Sequence, residues 1–346
     1  MRTKPDGPSK RGFKTAFRGL LLGATAAAAI AILVTWGCLA LGISPRPAAS
    51  VVRLLFDKGG VAMSQALEKH LPADVTASLN HHYDTSDKDA WLDVFHPQQA
   101  TTALPTVIWV HGGAWVSGGK EQVANYLRIL SGRGYTVVGV GYSLAPGKTY
   151  PAPLVQVNAA LAYLQANAQR LHVDPSQLYL AGDSAGAQIA AQLANIISEP
   201  SYARMVGIQP AIARTQLRGV LLYCGAYDLG LVDFDSASGL FLKTVLWSYA
   251  GTRDFMISPR FAAASVRGFI TPDFPPSFIS VGNADPLAPQ SHAMAGALAA
   301  QKVSVDSLFF PESYTPALPH EYQFNLDTEA GWQALERSVQ FLSKRR

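Results

Sequence analysis

Residues 182–186 read Gly182-Asp183-Ser184-Ala185-Gly186, a serine bracketed by glycines. A serine hydroxyl is a weak nucleophile, so it does chemistry only when the backbone exposes it and a base stands ready to take its proton. The bracket supplies the first condition. Residues 177–181 ahead of it form an apolar run of strand character, and residues 188–197 behind it favour a helix. Ser184 therefore falls on a strand-turn-helix junction, a nucleophile elbow that holds the hydroxyl out on a strained turn. Side chains two residues before and after would collide across so tight a turn, which is the reason for Gly182 and Gly186. In a chain with 29 glycines an ordinary strand-to-helix turn gives the same short match by accident. The assignment therefore needs an oxyanion site, a base and an orienting acid elsewhere.

A second glycine-rich motif, His111-Gly112-Gly113-Ala114-Trp115, ends the apolar run at 104–110. A phosphate-binding loop is the alternative reading, but no Gly-Lys-Ser/Thr follows. Between the two motifs lie Tyr142-Ser143-Leu144-Ala145-Pro146 and Tyr150-Pro151-Ala152-Pro153. With these residues, and over about 91–345, the chain resembles the hormone-sensitive-lipase-like branch of the α/β-hydrolases, which includes bacterial carboxylesterases and feruloyl-esterase-like members. The family often has a third glycine where this chain has Ala114, and Tyr-Arg-Leu where it has Tyr142-Ser143-Leu144. Ala114 keeps its amide, so the first departure spares the chemistry; the second bears on loop packing.

The resemblance implies an oxyanion hole of backbone amides from Gly112, Gly113 and Ala114, with Ala185 after the nucleophile. Fixed donors of this kind favour the tetrahedral oxyanion over the planar ester. It also implies the order serine, acid, histidine. The strand at 277–282 runs into Asn283-Ala284-Asp285-Pro286, which makes Asp285 the acid, and the strand at 303–310 is followed by a loop reaching His320, the base. His320 takes the Ser184 proton and returns it to the leaving group, while Asp285 holds the imidazole tautomer. Asp228, at the end of the preceding strand, is the rival acid. His292 falls on a helix, His172 precedes the serine, and His111 reads as a brace for the oxyanion loop. His81 and His82 are neighbours on an extended segment and point to opposite faces, so they make a poor metal pair. No metal and no cofactor are implied.

The amino-terminal end addresses location. Residues 1–18 carry six basic side chains against Asp6, a net charge of +5, while the whole chain is +4. The basic balance therefore belongs to the tail and offers a nucleic acid no basic face. Residues 19–43 are 25 residues without a charge. As a helix at about 1.5 Å per residue they would cross a hydrocarbon core of about 30 Å. We read a single-pass signal anchor with residues 1–18 as its cytoplasmic tail and the rest outside the cytoplasm. Cleavage at Ala40-Leu41-Gly42, giving a secreted protein, is the alternative. Residues 44–50 read as a linker and 51–346 as the hydrolase domain. Cys38 and Cys224 are the only cysteines and are not placed to pair.

Within that domain strands are expected near 75–82, 91–95, 105–110, 136–142, 177–182, 218–223, 277–282 and 303–310, with helices near 119–133, 154–168, 184–198 and 287–301. Trp332, Leu335, Val339 and Leu342 mark a last amphipathic helix. The alternation predicts an α/β fold with a mostly parallel sheet covered on both faces. Residues 229–276 interrupt it with an aromatic-rich insertion, expected to form a cap over Ser184 together with residues 51–71; the plainer reading is that its aromatics form the insertion's own core.

Three function classes fit. The first is a membrane-anchored carboxylesterase acting on a small-molecule or saccharide-linked ester through an acyl-enzyme. The second is an aryl-formamide hydrolase, since His111-Gly112-Gly113-Ala114-Trp115 also resembles the kynurenine formamidase loop. The third is a non-catalytic binding protein of the same fold, although every required side chain is kept here.

Overall fold

The structure, a computed structural model, describes residues 34, 35 and 37–345. The expected tail at 1–18 and most of the expected span at 19–43 lie outside the described residues, among which no helix is long and apolar enough to cross a membrane. Contacts divide the chain into a short unit, Met1–Ala48, and a large one, Ala49–Arg346.

One helix, α1, runs from Arg46 to Ala66. It differs from the linker expected at 44–50, and the reason is local. Pro47 sits in the first turn, where its missing N–H costs nothing, and Ser44 Oγ accepts the Arg46 amide. Two prolines that read as a loop therefore start a helix.

The large unit is built on eight strands: β1 (Val75–His82), β2 (Trp91–Pro97), β3 (Leu104–Val110), β4 (Thr136–Val140), β5 (Val173–Asp183), β6 (Leu217–Tyr223), β7 (Ser277–Val281) and β8 (Val305–Phe309). They lie in the order β1-β2-β4-β3-β5-β6-β7-β8. β1, β2 and β4 pair antiparallel, and every other pairing is parallel. Every residue of β4 and β7 is buried, as strands covered on both faces require. β1, at the edge, is only half-buried.

The helices between the parallel strands are α2 (Lys120–Ser131), α3 (Ala152–Ala166), α4 (Ser184–Ser198) with the short α5 (Pro200–Val206), and α8 (Ala288–Ala300), followed by α9 (Glu329–Ser343). One apolar cluster joins the sheet to α3 and α4 through Leu154, Leu161, Ile189 and Leu193. A second joins the opposite face to α2 and α9 through Leu127, Leu130, Leu335 and Phe341. Strand and helix positions match the sequence expectation to within a few residues, with one informative exception. β5 starts at Val173 rather than near 177, because a register shift against β3 between Leu104 and Thr106 accommodates Pro175.

The insertion after β6 carries α6 (Gly239–Ala250) and the short α7 (Pro259–Ala262). Phe234, Phe255, Phe261 and Tyr249 pack edge-on or tilted against one another. These rings do not form a separate core: they belong to the same apolar cluster as α3 and α4, with Tyr249 stacked on Trp115 and Tyr150 edge-on to Tyr249 and Phe261.

Candidate active site

β5 ends at Asp183 and α4 begins at Ser184, whose φ of +51° lies in the left-handed region that costs a residue with a side chain. The flanking glycines are a packing necessity. A Cβ on Gly186 would stand 2.0 Å from the Val110 carbonyl oxygen, and one on Gly182 would stand 2.6 Å from the Gly186 carbonyl carbon. The collision that excludes a side chain at 186 is therefore chiefly with the end of β3, not only across the turn.

Three side chains from three strand ends meet here. His320 Nε2 lies 3.0 Å from Ser184 Oγ, and His320 Nδ1 lies 2.8 Å from Asp285 Oδ2. The Asp285 side chain has no exposed surface and its other oxygen accepts the Leu287 amide at 2.7 Å. The acid and histidine loops are tied by the Ala284 amide to the Leu318 carbonyl, 3.0 Å, and by the Leu318 amide to Asn283 Oδ1, 2.8 Å. Burial works against a charged imidazole at 320, but the bond to Asp285 and the Glu321 carboxylate outweigh it and hold its pKa above the ordinary histidine value. Asp228 is engaged elsewhere, its carboxylate held by Arg267 and the Gly230 amide. His292 packs on Phe309, and His172 packs against His96.

Opposite the serine, Gly113, Ala114 and Trp115 all take positive φ values, of 101°, 52° and 60°. Ser117 pins this loop by donating both its amide and its hydroxyl to the Gly113 carbonyl. The expected donor set needs one correction. The Gly112 amide points at Asp183 Oδ2, 2.8 Å away, so it is spent inside the protein and has no hydrogen to give an oxyanion. Among the described residues the Gly113, Ala114 and Ala185 amides have no such bond; the last is one of the orphan N–H groups that any helix leaves in its first turn. His111 behaves as a brace: it is buried, stacked on Tyr142 at 4.2 Å, and burial pushes its pKa down to about 4, so it stays neutral. Where the resemblance led one to expect an arginine, Ser143 is held by Asp89 and Gln156. Arg53 of α1 instead clamps the Val116 and Ala145 carbonyls, at 2.6 and 2.9 Å.

Three residues near the triad escaped sequence reasoning. Asp183 is buried, accepts Trp109 Nε1 at 2.7 Å as well as the Gly112 amide, and shares a hydrogen bond with Glu321. Burial first, and then the Glu321 charge, raise its pKa well above the usual carboxylate range. Glu321 reaches it by taking a left-handed φ of +60° directly after His320. Cys224 comes to the same place, with its sulfur and one ligand atom each of Asp285 and His320 all within 4.8 Å of one another. Burial raises its pKa, so it faces the imidazole as a thiol. The only sequence signal for these three was adjacency to a motif or a strand end.

Ser184 lies where two cavities meet. One, of about 310 Å³, is lined by the oxyanion loop, Glu321 and the α1 residues Leu55, Phe56 and Met63. The other, of about 490 Å³, is more apolar and is walled by the insertion through Leu231, Phe241, Val245, Leu246 and Tyr249. Phe56 lines both and packs against Phe241 at 5.6 Å. The insertion is anchored to α4, where Gln188 and Gln192 donate to the Ala264 and Ala263 carbonyls.

Residues 107–318 match a protein family described as having the alpha/beta hydrolase fold. The carboxylesterase NlhH of Mycobacterium tuberculosis is 30% identical over 305 residues, which cover 82% of this chain and 89% of that protein. An alpha/beta hydrolase of Acanthamoeba polyphaga mimivirus is 33% identical over 132 residues, and the match spans only 38% of its length. Among solved structures, an inhibited esterase B from Lactobacillus rhamnosis is similar with a TM-score of 0.73 at 25% identity, covering 85% of this chain and 96% of that one.

Proposed function

The chain belongs to the alpha/beta hydrolase fold family, on its hormone-sensitive-lipase-like carboxylesterase branch, and from that premise we propose that it is a membrane-anchored serine carboxylesterase. The observation that carries the reading is the continuous line of hydrogen bonds from Ser184 Oγ through both nitrogens of His320 to Asp285. The name carboxylesterase borne by a relative matched over most of both chains supports the ester bond as the target.

In the mechanism, Ser184 Oγ attacks the ester carbonyl carbon as His320 Nε2 takes its proton. The carbonyl π electrons move onto oxygen, where the amides of Gly113, Ala114 and Ala185 receive the negative charge. As the tetrahedral centre collapses, the carbon–oxygen bond to the alcohol breaks and His320 returns the proton to the leaving oxygen. Water repeats the sequence on the acyl-serine, and the acid leaves. Asp285, fixed by the Leu287 amide, keeps Nδ1 protonated so that Nε2 is the acceptor. Gly112 acts indirectly, its bond to Asp183 fixing the start of the oxyanion loop.

The two cavities receive the two sides of the ester, with residues 229–276 and α1 as the cap that shapes them. Residues 19–43 hold the domain at a membrane, with residues 1–18 on the cytoplasmic side. Ser184→Ala tests the chemistry: it is expected to abolish both turnover of p-nitrophenyl esters and covalent labelling by an organophosphonate. Labelling that persists sinks the assignment. Aryl formamides assayed beside the esters test the bond class, since the carboxylesterase reading expects the esters to be turned over faster.

A further inference from the structure

Helix α1 carries apolar side chains on both its inward and its outward face. Toward the protein Ala49, Val52 and Met63 pack on the apolar clusters, and polar groups seat the helix beside them: Arg53 clamps two carbonyls, Asp57 accepts the Gly118 amide and Gln122, and the Ser64 carbonyl accepts Asn125. Toward solvent it presents Val51, Leu54, Leu55 and Val61, three or four residues or two turns apart along one helical face and each about half or more exposed. The only charge in that stripe is Lys58. A helix facing water has its polar residues outward, so this stripe is built to meet something apolar.

We propose that the outward face of α1 lies in the surface of a lipid bilayer, and that the esters reaching Ser184 are dissolved in that bilayer. The proposal rests on the anchoring read under the proposed function and goes further by naming the surface and the substrate source. Two observations select the bilayer over another protein. The uncharged stretch at 19–43, read above as the anchor, ends three residues before α1 begins at Arg46, so the sequence joins α1 directly to it. A lone lysine in an apolar stripe without acids also suits anionic headgroups, since its stem packs with the apolar residues while the ammonium reaches phosphate. The stripe is continuous with the way in: Leu55 belongs to it and lines the cavity beside Ser184, and the next residue, Phe56, lines both cavities. An acyl chain leaving the bilayer along α1 thus meets Leu55 and Phe56 at the cavities beside Ser184.

The test uses the full chain in phospholipid vesicles. Two esters are compared: water-soluble p-nitrophenyl acetate and a long-chain fluorogenic ester dissolved in the same bilayers. Leu54→Ser with Val61→Ser changes exposed residues that line neither cavity. This variant is expected to keep its rate on the acetate within about twofold and to lose about tenfold or more on the bilayer ester, a loss on the order of the burial of two aliphatic side chains. Separately, Leu54→Trp is expected to be quenched by brominated lipids. Alkaline carbonate extraction is run on the same vesicles. If the chain is extracted, the anchoring reading fails and takes this proposal with it. If it stays but the tryptophan is unquenched and the double variant matches wild type on both esters, the α1 face alone is refuted. Selective loss that tracks a change in cross-linked oligomers instead means that a second copy covers the face, and also overturns the proposal.

Discussion

The nucleophile rim and the cap sit a few residues apart yet are specified in opposite ways. At the rim the Ser184, Asp285 and His320 side chains are fixed by directional bonds, and one added methyl group meets backbone within 2.0 Å. In the cap the residues facing Ser184 are Leu231, Phe241, Val245 and Leu246, held by ring contacts and by two glutamines from α4. Hydrogen bonds specify geometry, whereas apolar contact specifies volume, which many side chains can fill. The chemistry should therefore break at single atoms of the rim, and the substrate range should drift with the cap.

The largest effect is expected at the orienting acid. Asp285→Asn keeps the shape of the side chain but turns a donor toward His320 Nδ1, which favours the tautomer that cannot accept the serine proton. A fall in kcat of about 10⁴-fold is expected, with KM little changed. Steady-state kinetics on a short aryl ester measures it, and a loss below tenfold would show that Asp285 is not the partner that sets the tautomer.

Next comes a pair of glycines. Gly186→Ala forces a Cβ to 2.0 Å from the Val110 oxygen, a backbone atom of a central strand that cannot yield, whereas Gly296 of α8 has nothing within 4 Å of its added Cβ. The first substitution is expected to cost more than about 3 kcal/mol, as forced overpacking does. Gly296→Ala is expected to stabilise by about 0.5–1 kcal/mol through helix propensity. Thermal melts of the two variants read the difference directly. Equal melting temperatures would mean that β3 does not crowd the elbow.

A smaller effect separates the acid pair of Asp183 and Glu321 from the triad. His320 must be neutral to accept a proton, and its pKa lies above the ordinary histidine value, so kcat/KM should rise with pH to a midpoint above about 6.5. Glu321→Gln removes one of the charges that raise it and is expected to move that midpoint down. Stability carries the opposite sign. Asp183 has a raised pKa in the fold, so its contribution is complete below the unfolded value near 3.9 and is lost as pH rises through the folded one. Melting temperature should therefore decline across that window, and less steeply in Glu321→Gln, because the neighbouring charge is gone. Superimposable curves for the two proteins in both measurements would remove Glu321 from the electrostatics of the site.

The same contrast decides what could be read from the chain. Gly182-Asp183-Ser184-Ala185-Gly186 and the strand pattern are local, and β4 and β7 announce themselves as short runs without a charge in which Val, Ile and Phe predominate. The spent Gly112 amide was not legible, because its partner Asp183 is 71 residues away and only the parallel pairing of β3 with β5 brings them together. Glu321 was hidden for a related reason: a charged residue beside a histidine in a loop gives no sign that a left-handed turn will bring its carboxylate against the buried Asp183. α1 was missed because Pro45 and Pro47 are helix starters as readily as linker residues, and the inward hydrogen bonds of Arg53 and Asp57 that seat it are non-local.

The smallest expected effect bears on the cap. Phe241 of the insertion packs on Phe56 of α1 at 5.6 Å; Phe241 lines the apolar cavity, and Phe56 lines both. Shortening it by Phe241→Ala opens the apolar cavity without touching a polar atom of the triad. Discrimination per methylene in an apolar pocket is worth about 1–3 kcal/mol at most, and a pair of rings about 0.5–1.5 kcal/mol. The ratio of kcat/KM for octanoyl over butyryl aryl esters should accordingly rise by a few fold, and the butyryl rate should fall little. Phe56→Ala should act in the same direction, and the two together less than additively, since each already removes the contact they share. If neither variant moves the ratio, the aromatics of residues 229–276 serve only packing in the apolar cluster they share with α3 and α4, and chain length must be set elsewhere in the cavity, as by Trp115.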